Sequence, residues 1–331
     1  MQGFWSSINK PAFVLAPLAD VTDAAFRRMI AKYSAHTRAD GTVGGPDVFW
    51  TEFVSADGLM MATEEGKQKL LADLKYSEEE RPIVAQLFSA NEDHMEKAAA
   101  LCRELGFDGI DINMGCPDRG IERQGCGAAM IKNPAQARAI IRAAKRGAGD
   151  LPVSVKTRVG YNKDELETWL PELLVENPAV ITVHARTRKD MSKVPARWER
   201  VARAVEIRNE LGSDTLIFGN GDALSIEDAK QKAATSGADG VMLGRAIFGN
   251  PWLYHPEKDL SNVSLQERFD ALIEHTKLFE ELLPHKNFAI MKKHYKAYIN
   301  GFSGAAELRA ELMEASDAAA VETIVRDYLQ R

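Results

Sequence analysis

Cysteine is scarce in this chain, with only three, Cys102, Cys116 and Cys126. Three thiols build no disulfide framework, and no two stand at CxxC spacing, so a cytoplasmic location is expected and a metal site is not. Long apolar runs are missing as well. None reaches the roughly 18 residues that a membrane-spanning helix needs. The opening stretch, MQGFWSSINKPAF, lacks the basic-then-apolar layout of a signal peptide, so neither a leader nor membrane attachment is expected. Positive charge is not in excess: 42 Lys and Arg stand against 48 Asp and Glu, a net charge of −6. That argues against indiscriminate coating of nucleic acid, although a local basic patch still binds phosphates on an acidic molecule. Neither a three-glycine GxGxxG nor a GxxxxGK[ST] occurs, which leaves a Rossmann fingerprint and a P-loop unsupported.

What is present is an ordinary globular composition, 45% hydrophobic and 27% charged over 331 residues. Short apolar, β-branched runs alternate with longer helix-like stretches. There are eight: Phe13 to Ala16, Val48 to Trp50, Ile83 to Leu87, Gly109 to Ile112, Val153 to Val155, Val180 to Val183, Thr215 to Phe218 and Gly240 to Leu243. Strands alternating with helices imply parallel βα units, and eight of them are the arithmetic of an α/β (β/α)8 TIM barrel. Helices are expected over Asn91 to Leu105, Pro134 to Lys145 after the N-cap Asn133, and Ser225 to Ser236, which Gly237 stops. Beyond Tyr254 the strand signal ends. Residues 1–255 read as the barrel and 256–331 as a small all-helical C-terminal domain.

Reactive residues of a barrel gather where strands end. Here polar groups follow the strands in succession: Thr51-Glu52, Gln86, Asn113, Lys156-Thr157-Arg158, His184-Ala185-Arg186, Gly219-Asn220-Gly221-Asp222 and Gly244-Arg245. One such residue is usually a satisfied loop residue; so many together point to a ligand site. Glycine-rich turns after the last two strands suit a phosphate, which backbone N–H groups approach closely and Arg245 can grip. Lys156 and Gln86 then face the aromatic part of a phosphorylated cofactor. A flavin suits this inventory, since its N1–O2 edge gains negative charge on reduction and a lysine there favours the reduced form. Cys116, in Gly115-Cys116-Pro117, is presented at the mouth as a proton donor or a nucleophile. Cys102 reads as buried and inert, and Cys126 as structural.

These segments resemble the tRNA-dihydrouridine synthases. The matching stretches are APLADVTDAAFR, TEFVSADGL, VAQLFSAN, DGIDINMGCPDRGIERQGCGAAMI, VSVKTRVG, VHARTR, GNGDALSIEDA, GADGVMLGRAIFGNPWLY and MKKHYKAYINGFSGAAELR, spread over about residues 13–313. The resemblance implies an FMN-binding barrel, NADPH as reductant and tRNA as partner, with no protein partner implied. It implies that Cys116 is the general acid. Ala16, Pro17, Leu18, Gln86, Lys156 and His184 would hold the flavin ring, and Asn220, Gly221, Asp222, Gly244 and Arg245 its phosphate. Asn113, Arg158, Arg186, Lys292 and Lys293 would meet the substrate. Reduced FMN would pass hydride to C6 of a uracil while Cys116, which should stay a thiol, protonates C5.

Two basic stretches could hold the RNA. Residues 184–200 carry six Lys and Arg against two acids, and residues 285–309 carry five against one, with Tyr295 and Tyr298 interleaved. The sequence departs from the family in three places: the long, glycine-rich Ala35 to Pro46, Leu18 where Met is frequent, and KDMSKVPARW in place of an aromatic-Gly pattern. Two other readings remain open: a flavin barrel acting on a free small molecule, and a non-catalytic RNA-binding barrel.

Overall fold

The computed structural model describes residues 3–330. All eight runs are strands: β1 (Ala12–Leu15), β2 (Phe49–Ser55), β3 (Ile83–Phe88), β4 (Gly109–Met114), β5 (Val153–Arg158), β6 (Val180–His184), β7 (Leu216–Asn220) and β8 (Gly240–Leu243). Every residue of β3 and β4 is buried, as expected of parallel strands covered on both faces. The sheet is parallel throughout, in the order β1-β8-β7-β6-β5-β4-β3-β2. Two backbone hydrogen bonds bring its ends together: Asp47 N–H donates to Phe13 O (2.9 Å) and Leu15 N–H to Val48 O (3.1 Å). The result is a (β/α)8 barrel.

The helices begin where the caps predict. Asn91 Oδ1 accepts from His94 N–H ahead of the helix Glu92–Glu104. Asn133 does the same for Pro134–Ala148, with Pro134 at the first turn. Ser225 caps Ile226–Ser236, and Gly237 ends it in the left-handed region at φ 69.

Two expectations need correction. The second strand does not end at Thr51-Glu52. Trp50 pairs with Val84 but Phe53 with Gln86, so β2 carries one residue more than β3 and bulges there. Thr51 Oγ1 accepts from Gln86 N–H at 3.1 Å and mends the ladder, while Glu52 stays out of the cavity lining, accepting from Asp20 N–H and pairing with Lys286. Tyr295 and Tyr298 do not stand on a basic face; both are buried in the core. The Ala35 to Pro46 stretch holds a small hairpin of His36–Thr37 against Val43–Gly44.

No strand follows Leu243 among the described residues. The helices Leu265–Leu282, Lys292–Tyr298, Ala305–Met313 and Ala318–Gln330 make up most of the remainder. They share one core with the barrel. Phe26, on the helix Ala24–Tyr33, stacks on His275 at 4.8 Å, and Lys286 sits between Glu52 (2.7 Å) and Asp73 (3.0 Å). No helix of the described residues is long and apolar enough to cross a membrane.

His275 and His294 face each other in this junction, ring centroids 4.7 Å apart, and neither is exposed. Nε2 of His275 and both ring nitrogens of His294 have no hydrogen-bond partner among the described residues. Burial keeps both neutral, pushing His294 down to about 3 and His275 well below 6.5. On acidification the unfolded chain therefore binds protons first, and each histidine withdraws stability as pH falls below about 6.5. The limiting slope is about 1.4 kcal/mol per pH unit per histidine. Urea unfolding of the wild type against His294→Phe is expected to show a steeper loss for the wild type between pH 6.5 and 5.

Candidate active site at the barrel mouth

The C-terminal ends of the strands open into one cavity of about 870 Å3. Ala16, Pro17, Leu18, Gln86, Asn113, Cys116, Lys156, Arg158, His184, Arg186, Asn220, Gly221, Asp222, Gly244 and Arg245 all line it. The fold thus brings together all the candidate residues except Lys292 and Lys293. Those two lie on the helical region, where Lys293 feels the charges of Asp20, Glu52 and Asp23.

The floor is built from donors. Lys156 Nζ donates to Asn220 Oδ1 at 3.1 Å, and Asn220 Nδ2 donates to Met242 O at 2.8 Å. Burial, aided by the charge of Arg158, lowers the Lys156 ammonium to about 8, so it remains charged at neutral pH. Arg186 Nη1 lies 3.2 Å from His184 Nε2. Arginine only donates, so that nitrogen is bare and Nδ1 carries the proton. Burial and the charges of Lys156 and Arg158 hold His184 well below its usual range, leaving it a neutral donor.

Cys116 stands on the turn after β4. Asn113 Oδ1 accepts from Gly115 N–H (3.1 Å) and Cys116 N–H (2.9 Å), and Asp118 caps the short helix behind it. The thiol packs against the apolar cluster of Phe88, Ile121 and Cys126. Burial raises it above its ordinary 9.0, although Arg158 and Lys156 pull the other way. It is a protonated thiol at neutral pH, an acid rather than a ready nucleophile.

The arginines are more committed than sequence alone suggests. Arg158 Nε donates to Gly115 O (2.7 Å), and Nη1 to Thr187 O (3.1 Å) and Met191 O (3.2 Å). It ties the Cys116 turn to the loop after β6. Arg186 and Arg245 both pair with Asp222, and Arg186 Nε also donates to Val194 O at 2.6 Å. Within residues 184–200, Arg188 pairs with Glu122 and Arg200 with Asp164, acids distant in sequence, so the stretch is less basic than its own count. Lys189 and Lys193 are exposed and without ion pairs among the described residues.

Gly221 sits at φ 122, and a Cβ there would meet Ala196 Cβ at 2.9 Å, so the fold itself demands a glycine. Gly244 differs. Its φ is −120, and a Cβ would find only ordinary contact with Ala16 at 3.6 Å. No neighbour among the described residues requires a glycine there, and the space it frees belongs to the cavity.

The family model for dihydrouridine synthase (Dus) matches residues 14–331. The chain belongs to the dihydrouridine synthase family. Among its relatives in the family, a probable tRNA-dihydrouridine synthase 2 of Bacillus subtilis (strain 168) is 38% identical over 333 residues, spanning 99% of this chain and 97% of that protein. A probable tRNA-dihydrouridine synthase of Staphylococcus aureus (strain MRSA252) is 36% identical, spanning 99% and 96%. Among solved structures, 2-naphthoyl-CoA reductase with 2-naphthoyl-CoA superposes with a TM-score of 0.53 at 11% identity, over 73% of this chain and 49% of that one. Morphinone reductase in complex with tetrahydroNAD gives 0.50 at 13%, over 76% and 87%. At such identities the likeness establishes the barrel fold.

Sequence reasoning overlooked Asp111, which lies beneath the floor, and the bracing role of Arg158. The signal for the first was available: a lone carboxylate inside GIDIN, in a strand buried on both faces, must find donors. Replacing Arg158 with Met removes three hydrogen bonds to carbonyls and is expected to cost about 2–4 kcal/mol in urea unfolding. Separately, alkylation of Cys116 in the wild type is expected to go on accelerating as pH rises past 9.0 instead of levelling off near neutrality.

Proposed function

We propose that this protein reduces uridine in tRNA to 5,6-dihydrouridine, with FMN bound at the barrel mouth, NADPH as reductant and Cys116 as the acid. The observation that carries the reading is a floor of donors, Lys156, Asn113 and neutral His184, in the same cavity as a protonated thiol. Such a floor suits a flat ring edged with carbonyl oxygens and nitrogen lone pairs, and the space left by Gly244 beside Arg245 suits its phosphate. Ala16, Pro17 and Leu18 supply an apolar wall, with Gln86 below. Asn220, Gly221 and Asp222 complete the phosphate side, where the carboxylate of Asp222 holds Arg186 and Arg245 in place.

When bound, FMN supplies the hydride that adds to C6 of the target uracil. Addition at C6 leaves negative charge at C5 and O4. Cys116 Sγ–H gives its proton to C5, and the thiolate left behind is eased by the charges of Arg158 and Lys156. Asn113 and the arginine-braced turn hold the sulfur at the cavity while this happens. The apolar niche of Phe88 and Ile121 keeps the proton on the thiol until it is needed.

A uridine in folded RNA must leave its stack to enter the cavity, at a cost of a few kcal/mol that contacts elsewhere recover. We assign those contacts to Lys189 and Lys193, exposed on the loop after β6 that also sends Ser192 into the cavity, and to Lys292 and Lys293 on the helical region beyond residue 255. A free-small-molecule substrate needs no such surface. The proposed acid must remain a reduced thiol, which accords with a cytoplasmic setting.

The test is mass analysis of tRNA from a deletion strain complemented with the wild type or with Cys116→Ala. The wild type is expected to restore uridine heavier by 2 Da, the mass of two added hydrogens, and Cys116→Ala to lower the product about 100-fold or more. Equal product from both removes Cys116 from its role. Absence of salt-sensitive tRNA binding would instead favour a small-molecule substrate.

A further inference from the structure

We propose that Asp111, which lies outside the cavity, is the positioning residue that fixes the amides of its floor and, through them, the turn bearing Cys116. Asp111 is 1% exposed on β4. Ser154 Oγ donates to its Oδ1 at 2.5 Å, and Gln86 Nε2 donates to its Oδ2 at 2.6 Å. Gln86 Oε1 in turn accepts from Asn113 Nδ2 at 3.1 Å. Asn113 Oδ1 then accepts from the backbone N–H groups of Gly115 and Cys116.

The chain has one direction, and both ends impose it. A carboxylate only accepts, so Gln86 must turn its nitrogen to Asp111 and its oxygen to Asn113. Backbone N–H groups only donate, so Asn113 must turn its oxygen to the Cys116 turn and its nitrogen to Gln86. Neither amide can flip without leaving two like groups face to face in a buried site. Burial raises the Asp111 carboxyl to about 6, against the pull of its hydrogen bonds and of Lys156, so it is the carboxylate at neutral pH and above. The Trp50 indole N–H also favours its charged form.

The relay is a claim about the Cys116 turn, although its value to catalysis rests on the function proposed above. The test is a double-mutant cycle of Asp111→Val, Gln86→Met and the pair, read by the rate of Cys116 alkylation, localised by mass spectrometry. Cys102 and Cys126 are buried, so the signal belongs to Cys116. Each single change is expected to speed alkylation about 10-fold by freeing the turn, and the pair no more than either alone. Asp111→Asn, which keeps an acceptor for Gln86, is expected to stay within about 3-fold of the wild type, since the relay needs an acceptor there more than a charge. Multiplicative effects in the pair, or no effect of Asp111→Val, overturn the proposal. Urea unfolding checks that each variant is folded, and Asp111→Ala replaces Asp111→Val in the cycle if the latter is not. FMN titration of the wild type separates the two ideas. A wild type that takes up no FMN defeats the proposed function and leaves the alkylation cycle to decide the relay.

Discussion

Positive charge crowded into a low-dielectric cavity is the constraint around which this barrel mouth is built. Lys156, Arg158, Arg186 and Arg245 line it against only Asp118 and Asp222, in a protein whose net charge is −6. The lowered Lys156 and Arg158 record how far burial and mutual repulsion work against them. The βα loops answer with carbonyl oxygens. Gly115, Thr187, Met191 and Val194 each turn one toward a guanidinium. The irregular backbone of these loops acts as the solvent for the arginines, and the arginines fix the shape of the loops. An anionic ligand fits this balance because it supplies the charge that the lining lacks.

Cys116 stands at the boundary of that field. One side of it is apolar, against Phe88 and Ile121, and the other faces the cations. Desolvation outweighs the nearby positive charge, so the proton stays on the sulfur, while the same charges remain close enough to accommodate a thiolate once the proton has gone. Two opposing influences on one atom give an acid that holds its proton and can also afford to lose it.

The barrel was legible in the sequence because its periodicity is local. Eight apolar runs, their caps and their polar ends can each be read within a dozen residues, and fifteen of the candidate residues converge on one cavity. What escaped depends on partners far along the chain. The bulge that turns Glu52 toward Lys286 adds one residue to a strand and leaves no mark in composition. Arg158 reads in the sequence as a residue that meets substrate, and its second role as a brace is hidden there, because the carbonyls it holds come from turns up to 43 positions away. The basic run after β6 looked stronger than it is, because Glu122 and Asp164 are invisible from within it. Tyr295 and Tyr298 alternate with lysines in the sequence, yet the helix turns both rings into the core.

The joint between β1 and β2 is the thinnest in the sheet, and one residue does much of the stitching. Asp47 donates its N–H to Phe13 O, accepts the Phe13 N–H on its carboxylate at 2.7 Å, and holds Arg38 of the hairpin at 2.8 Å. A closed barrel has no free strand edge only for as long as that joint stays shut. Were it to part, β1 and β2 would each present a bare ladder of amides and carbonyls to solvent, the template on which one chain recruits another into aggregates.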